Sequence, residues 1–93
     1  MIKTFKNRQA EKVFQRKAVP GLSQEVYRMA LRKLLLLDAA DRIEDLRVPP
    51  GNRLEKLTGD REGLHSLRIN DQWRLCFRWQ EGDAYEVEIV DYH

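Results

Sequence analysis

The architecture of this chain can be predicted from 26 residues, RINDQWRLCFRWQEGDAYEVEIVDYH (68–93). Apolar and polar residues alternate through them, apart from two polar interruptions at Asn70–Gln72 and Glu81–Asp83, and this pattern predicts antiparallel strands joined by tight loops. Three-residue loops at both places would set Trp73 near Asp91. The apolar face of the sheet would then consist of Leu67, Ile69, Trp73, Leu75, Phe77, Trp79, Tyr85, Val87 and Ile89.

The opposite face of this predicted sheet is rich in arginine. The same register sets Arg68 against Arg74 and Arg78 against Glu86, and directly opposed like charges disfavour a sheet. Two interpretations remain open. Glu88, diagonal to both Arg74 and Arg78, relieves the repulsion, or the arginines are available for a phosphate, whose geometry suits a guanidinium fork.

The rest of the chain adds two helices and further strands. A short strand is predicted at Ile2–Phe5, and a helix at Arg8–Lys17 ends before the breaker Val19–Gly21. A second helix begins after Ser23, whose hydroxyl suits an N-cap. Later strands are predicted at Arg53–Leu57, Leu64–Ile69, Trp73–Gln80 and Ala84–Asp91. We therefore expect one α+β domain over residues 1–93, with two N-terminal helices packed on a mainly antiparallel sheet in the order β-α-α-β-β-β-β.

Composition limits the classes of function. Residues 1–80 contain all 17 Lys and Arg against ten acids, whereas residues 81–93 contain five acids and no Lys or Arg, so the body of the domain suits a polyanion. One Cys and two His provide no zinc-ligand spacing, and no glycine motif suits a nucleotide, so we expect no metal and no cofactor. No apolar run approaches the ~18 residues that span a bilayer, and we expect a cytoplasmic protein without membrane contact.

The last three residues, Asp91, Tyr92 and His93, place a carboxylate, a phenol and an imidazole in one short span. A terminal histidine is ordinarily solvated, but these groups also suit RNA cleavage by the RNA's own 2′-hydroxyl, which needs a base, an acid and cations. His93 would exchange a proton, Asp91 would orient it or act as a base, and Tyr92 would stack or donate a hydrogen bond. The cations expected to hold phosphates are Arg53, Lys56, Arg61, Arg68, Arg74 and Arg78. Adjacent His65 and Ser66 point to opposite faces of a strand, which argues against a hydrolytic dyad.

Three ordered segments resemble one family. They are GDREG (59–63), RINDQWR (68–74) and EIVDYH (88–93), and together they look like the HigB toxins of the RelE/ParE superfamily. PPGNRL (49–54) is similar to the GraT-type members. The resemblance covers the whole chain and implies a RelE-like fold, metal-independent cleavage of mRNA in the ribosomal A site, and an antitoxin of the HigA type. Such an antitoxin has a helix-turn-helix and also binds operator DNA, so operator contact is expected only through it.

The resemblance also assigns roles. The family's acidic, tyrosine and histidine positions at the C-terminus match Asp91, Tyr92 and His93, and Arg61 lies in the matching loop. Some HigB toxins have a further histidine at the position where this chain has Glu55. GraT-type toxins also lack this histidine. A carboxylate replaces imidazole as a base but not as a cation, so Glu55 is either a base or a salt-bridge partner.

Three functional hypotheses remain at this point. The first is a ribosome-dependent endoribonuclease, in which the ribosome aligns the mRNA. The second is a non-enzymatic poison of DNA gyrase of the ParE kind, and the third is a non-cleaving ribosome-binding factor. Fold alone does not decide among them; the Asp91–His93 ending favours the nuclease. The free toxin is compatible with a monomer.

Overall fold

The computed structural model describes residues 1–57 and 63–91. Its elements are α1 (Arg8–Phe14), α2 (Gln24–Ala39), two 3₁₀ turns (Ile43–Arg47 and Pro50–Asn52), β1 (Glu55–Lys56), β2 (Leu64–Arg68), β3 (Trp73–Gln80) and β4 (Asp83–Asp91). The four strands form one antiparallel sheet in the order β1-β2-β3-β4. The predicted α+β class is therefore confirmed. No helix among the described residues is both long enough and apolar enough to cross a membrane.

The first residues of the chain lie beside β4. Ile2 and Phe5 form isolated parallel bridges with Ala84 and Val87, so the predicted first strand is present as two bridges rather than as a continuous strand. The backbone N–H of Ile2 also donates to Asp38 of α2 at 2.9 Å. β4 therefore lies between β3 and the N-terminal segment.

Side-chain caps begin both helices. Asn7 Oδ1 accepts from the backbone N–H of Ala10 at 3.1 Å, and Ser23 Oγ accepts from that of Val26 at 3.1 Å, which confirms the predicted cap of α2. The prediction that α1 continues to Lys17 was wrong by three residues. The helix ends at Phe14 and Arg16 has a φ of 60°, a conformation that a right-handed helix does not contain.

The core lies between the two helices and one face of the sheet. α2 buries Ala30, Leu34 and Leu37, which repeat at the spacing of one helical face. Most of the predicted apolar face is buried in the same cluster: Leu67, Ile69, Leu75, Phe77, Val87 and Ile89. Trp73 and Trp79 pack against it while partly exposed. The α2 face and the sheet face thus account for one continuous core.

The first hairpin has the predicted register, with Arg68 directly opposite Arg74. Its turn is stabilised by Asn70, whose side-chain oxygen accepts from the backbone N–H groups of Gln72 at 2.9 Å and Trp73 at 2.7 Å. Asparagine favours turns because its short amide bonds to the backbone two or three residues further along.

The second hairpin differs from the prediction. Gln80 pairs with Asp83, so the turn contains two residues, Glu81 and Gly82, both with positive φ, as a type I′ turn requires. A β-bulge with Glu86 at φ 53° then shifts the register by one residue, so that Trp73 lies opposite Asp91 as predicted.

The bulge changes which β4 residues face the core. Between the turn and the bulge, Ala84 is fully buried and Tyr85 is only partly buried. Tyr85 pairs with Arg78, where Glu86 had been predicted. The assignment of Tyr85 to the apolar face was therefore wrong, because alternation reverses across a bulge.

Asn7 provides the first test. Besides capping α1, its amide nitrogen donates to the carbonyl oxygen of Ile89 at 2.9 Å, and its oxygen accepts from the N–H of Ile89 at 3.4 Å. We expect Asn7→Ala to lower the free energy of unfolding by roughly 2 kcal/mol, measured by urea denaturation. Ser23→Ala removes only a cap and should cost about half as much. Equal losses in the two variants would show that the contacts with β4 contribute nothing.

Candidate active site

A shallow cavity of about 290 Å³ lies on the sheet face that points away from the helices. Its walls come from the segment before β1, from β1 itself and from the β2–β3 hairpin, and they consist of Arg53, Glu55, Arg68, Asn70, Asp71 and Arg74. We call it the arginine cavity. Three guanidinium groups and two carboxylates around one depression give it the composition expected of an anion site with an attached base.

Arg74 is the buried member of this group and is only 9% exposed. Its Nε donates to Ser66 Oγ at 3.0 Å, and its Nη2 donates to the carbonyl oxygen of Arg53 at 2.8 Å. The same Nη2 lies 3.7 Å from Glu55 Oε2. One side chain therefore joins β3 to β2, to β1 and to the segment that precedes β1.

The position of Arg53 is fixed by the preceding turn as well as by Arg74. It follows the Pro50–Asn52 turn with φ 44° and ψ 58°, a left-handed conformation that is uncommon for a residue with a side chain. Asn52 is fully buried, accepts a hydrogen bond from Lys33 of α2 and donates to the carbonyl oxygens of Leu46 and Val48. The backbone of Arg53 is thus fixed between a satisfied buried amide and the guanidinium of Arg74.

Arg68 is more accessible than its neighbour Arg74. Its Nη2 lies 2.5 Å from Asp71 Oδ1, and Asp71 is almost fully exposed. The hydrogen bond from Arg68, together with the charge of Arg68, lowers the pKa of Asp71. Because exposed ion pairs contribute little stability, an incoming phosphate can replace the carboxylate at small cost.

The positive charges of Arg68, Arg74 and Arg78 are compensated by carboxylates. Each has its own carboxylate, with Asp71 beside Arg68, Glu55 beside Arg74 and Glu86 beside Arg78. Glu88, the carboxylate named in the structural interpretation, forms an ion pair with Lys6 at 3.3 Å. The salt-bridge interpretation therefore holds for these three arginines. All three carboxylates are exposed, so the phosphate interpretation stays compatible with it.

Positive charge extends from the cavity onto α2. Burial lowers the pKa of Lys33, and the nearby charges of Arg32 and Arg68 lower it further. The hydrogen bond from Lys33 to Asn52 holds this ammonium group next to the turn that leads to Arg53. A polyanion bound at the arginine cavity would lessen the repulsion among these cations.

The structure brings together four of the predicted site residues, Arg53, Glu55, Arg68 and Arg74. Three others lie elsewhere on the sheet. Lys56 pairs with His65 and Asp91 pairs with Trp73, which places both on the helix-facing side, and Arg78 lies four residues beyond Arg74 on β3. Asp91 Oδ2 accepts from Gln72 Nε2 at 3.1 Å. The predictions for Arg61, Tyr92 and His93 lie outside the described residues.

Sequence analysis missed two residues that support the site. Ser66 alternates onto the same face as Arg68 and could have been found from strand periodicity, whereas Asn52 lies in a 3₁₀ turn and carries no periodic signal. The conclusion that Ser66 and His65 do not form a dyad is confirmed. Ser66 bonds to Arg74, whereas His65 stacks on Phe77 on the other face, with ring centroids 5.9 Å apart.

His65 has a structural environment rather than a catalytic one. Its Nδ1 is buried and has no hydrogen-bond partner among the described residues. Burial lowers the pKa of its imidazole, and the charge of Lys56 lowers it further. Within residues 1–57 and 63–91, no cluster of three or more His, Cys, Asp or Glu side chains could hold a metal ion.

Comparisons with known proteins all point to the same family of toxins. A family model described as the RelE-like toxin of the type II toxin–antitoxin system HigB matches residues 3–93. A Proteus vulgaris protein named Endoribonuclease HigB is 36% identical over 94 aligned residues and covers all of both chains. A Vibrio cholerae protein named Toxin HigB-1 is 50% identical over 58 residues, which is 62% of this chain and 61% of the Vibrio protein.

A solved structure supports the fold. A variant of YafQ from E. coli superimposes with a TM-score of 0.66, covering 98% of this chain and 91% of that one. Only 13% of residues are identical, so this likeness concerns the backbone and not the chemistry of the site.

Arg74 can be tested through stability. Arg74→Lys keeps a positive charge but cannot donate to Ser66 and Arg53 in the same geometry, so we expect the free energy of unfolding to fall by roughly 2 kcal/mol. The accessible Arg68→Lys should change it by less than about 0.5 kcal/mol. Urea denaturation of both variants decides the point, and a stable Arg74→Lys protein would contradict the assigned contacts.

The lowered pKa of His65 predicts that the free energy of unfolding depends on pH. Its folded-state pKa lies below the unfolded value of about 6.5, so the unfolded chain binds the proton more readily. The associated stability is fully present above about pH 6.5 and is lost as the pH falls towards the folded-state pKa. His65→Phe keeps an aromatic ring on Phe77 and removes this titration. Urea midpoints measured from pH 7.5 to 5.0 should therefore fall less steeply in the variant, and parallel profiles would refute the assignment.

Proposed function

The chain belongs to the HigB-like toxins, the RelE-like toxins of type II toxin–antitoxin systems, and from this we propose that it is a ribosome-dependent endoribonuclease that cleaves mRNA in the A site. The observation that carries the proposal is the arginine cavity, where Glu55 lies among Arg53, Arg68 and Arg74. A carboxylate beside several phosphate-binding groups suits transfer of a proton next to a phosphodiester. The Proteus relative is named as an endoribonuclease, which agrees with this chemistry.

The proposed reaction requires no metal. Glu55 takes the proton of a 2′-hydroxyl, the 2′-oxygen bonds to the adjacent phosphorus, and the bond from phosphorus to the 5′-oxygen breaks. The products are a 2′,3′-cyclic phosphate and a 5′-hydroxyl. Arg68 and Arg53 bind the non-bridging oxygens, which gain negative charge in the transition state, and Arg74 adds its charge while holding both Arg53 and Glu55 in place.

The remaining groups are assigned from the resemblance of the C-terminus. His93 protonates the leaving 5′-oxygen, Asp91 orients His93, and Tyr92 stacks on a neighbouring base. The further phosphates of the strand are bound by the cations Arg61 and Arg78, while Lys56, on the helix-facing side of the sheet, adds positive charge at longer range. Because the cavity is shallow and open, the mRNA must be aligned from outside, and this is the contribution that we assign to the small ribosomal subunit.

The family implies an antitoxin partner. We propose that this partner is a helix-turn-helix protein of the HigA type, that it neutralises the toxin in the cytoplasm, and that operator DNA is contacted through it alone. No membrane contact is part of the proposal.

The proposal is tested by toeprinting on ribosomes programmed with a defined mRNA. Wild-type protein should produce new stops within A-site codons, and none without ribosomes. Glu55→Gln and His93→Ala each remove a proton-transfer group, so the cleavage rate constant should fall about 10²-fold or more. Glu44→Gln, an exposed acid on the first 3₁₀ turn, is the matched control and should cleave like wild type.

Other outcomes have distinct meanings. A preparation that arrests growth without cutting mRNA would contradict the nuclease, and inhibition of gyrase supercoiling would then identify a ParE-like poison. Full activity in Glu55→Gln would leave that carboxylate as a salt-bridge partner of Arg74. Full activity in His93→Ala would refute the C-terminal acid.

A further inference from the structure

A second cavity opens on the same sheet face as the arginine cavity. Its lining includes Leu57, Leu64 and Cys76, which we call its apolar floor, and the charged residues Arg78 and Glu86, which we call its rim. With a volume of about 220 Å³, it is smaller than the roughly 300 Å³ at which pockets for drug-sized ligands begin. A group of one ring system fits this size better than a whole nucleotide does.

The two cavities lie along one strand. Arg74 borders the first and Arg78 the second, with Cys76 between them on the same face of β3. Four residues of a strand span about 13 Å. An RNA strand with a phosphate at the arginine cavity therefore passes the second cavity within one or two nucleotides.

One rim residue, Glu86, has an uncommon backbone conformation. Glu86 occupies the β-bulge with φ 53°, and its N–H donates to Thr4 Oγ1 at 2.8 Å. A positive φ is costly for a residue with a side chain, and such strain and such bulges both occur preferentially beside functional sites. Here the bulge directs the Glu86 carboxylate to Arg78, whose Nε donates to Oε2 at 2.9 Å.

Gly63 lies close to the end of the Arg78 side chain. A Cβ at this position would lie 2.9 Å from Arg78 Nη1, and the residue has φ +85°. The guanidinium thus rests against the backbone of the residue that precedes β2. No larger residue could occupy position 63 without moving the arginine or straining the chain.

The ion pairs at the rim can be exchanged for hydrogen bonds to a ligand with little loss of free energy. The pairs Arg78–Glu86 and Lys6–Glu88 are partly exposed, at 43%/52% and 61%/22% of their side chains. Pairs of this kind typically contribute between about 0 and 1 kcal/mol. A ligand that presents a donor next to an acceptor can therefore replace one of them, and the edges of nucleobases have this pattern.

From these observations we propose that the second cavity receives one base of the mRNA beside the cleaved bond, and that Arg78 and Glu86 recognise its hydrogen-bonding edge. The apolar floor packs against the ring, and the rim distinguishes one base from another. This inference rests on the proposed nuclease function and adds a site of sequence preference to it. It also gives Arg78 a role in base recognition in addition to its charge.

The test measures base preference rather than total activity. Programmed ribosomes carry mRNAs with A, C, G or U in turn at each position flanking the cut. Glu86→Gln replaces an acceptor by an amide of the same shape, and Arg78→Gln removes the guanidinium. We expect wild type to prefer one base at one position, and each variant to reduce that preference about tenfold. Cleavage at disfavoured bases should change by less than about twofold in Glu86→Gln, whereas Arg78→Gln also loses a phosphate-binding cation and should cut every substrate more slowly. Glu81→Gln in the β3–β4 turn is the matched control and should keep the wild-type preference.

A second arm uses only the wild-type protein and Glu86→Gln. The preferred base is replaced by an analogue that lacks its exocyclic group. Wild type should then lose most of its preference, whereas Glu86→Gln should lose little more than it has already lost. This arm decides the matter even where Arg78→Gln does not fold, because Glu86→Gln and the analogue change no buried residue.

The failures can be told apart. A wild type that cuts no mRNA on ribosomes overturns the proposed function, and this inference with it. Normal cutting with unchanged preference in both variants overturns the base site alone. Unchanged preference combined with weaker neutralisation by the antitoxin assigns the cavity to that protein and also overturns the base site.

Discussion

The contacts of Arg74 are the constraint on which the site depends. A nearly buried guanidinium, bonded to Ser66 and to the carbonyl oxygen of Arg53, connects three strands and the turn before them. A buried cation is costly unless its donors are satisfied, so the surrounding groups have little freedom to move. Arg53 and Glu55 therefore take their positions from Arg74, and the more exposed Arg68 remains available for ligand on a rigid support.

Much of the fold follows from the local pattern of the sequence. The Arg68–Arg74 register and the Ser23 cap were predictable because alternation and capping act over a few residues. The bulge at Glu86 was not, because it depends on the Glu81–Gly82 turn and on a hydrogen bond to Thr4. Tyr85 was consequently assigned to the wrong face. Periodicity alone does not encode the contact between Glu86 and Thr4, which are 82 positions apart.

The candidate site was predictable in its residue types but not in its grouping. Arg53, Glu55, Arg68 and Arg74 meet because a 3₁₀ turn fastened by Asn52 brings the segment before β1 against β3. Alternation places Lys56 and Asp91 on the other side of the sheet. On the arginine side of the sheet, Arg68, Arg74 and Arg78 each form an ion pair with a separate carboxylate, which reduces the repulsion between these arginines.

The parallel bridges of Ile2 and Phe5 with β4 have a consequence for biosynthesis. Asn7 bonds to Ile89, 82 positions further along the chain. Contacts of such separation slow folding, because the intervening loop must close before they form. While the polypeptide is being made, the first residues have no strand to pair with until β4 has been synthesised. The sheet is therefore completed by the N-terminal segment only after β4 has left the ribosome.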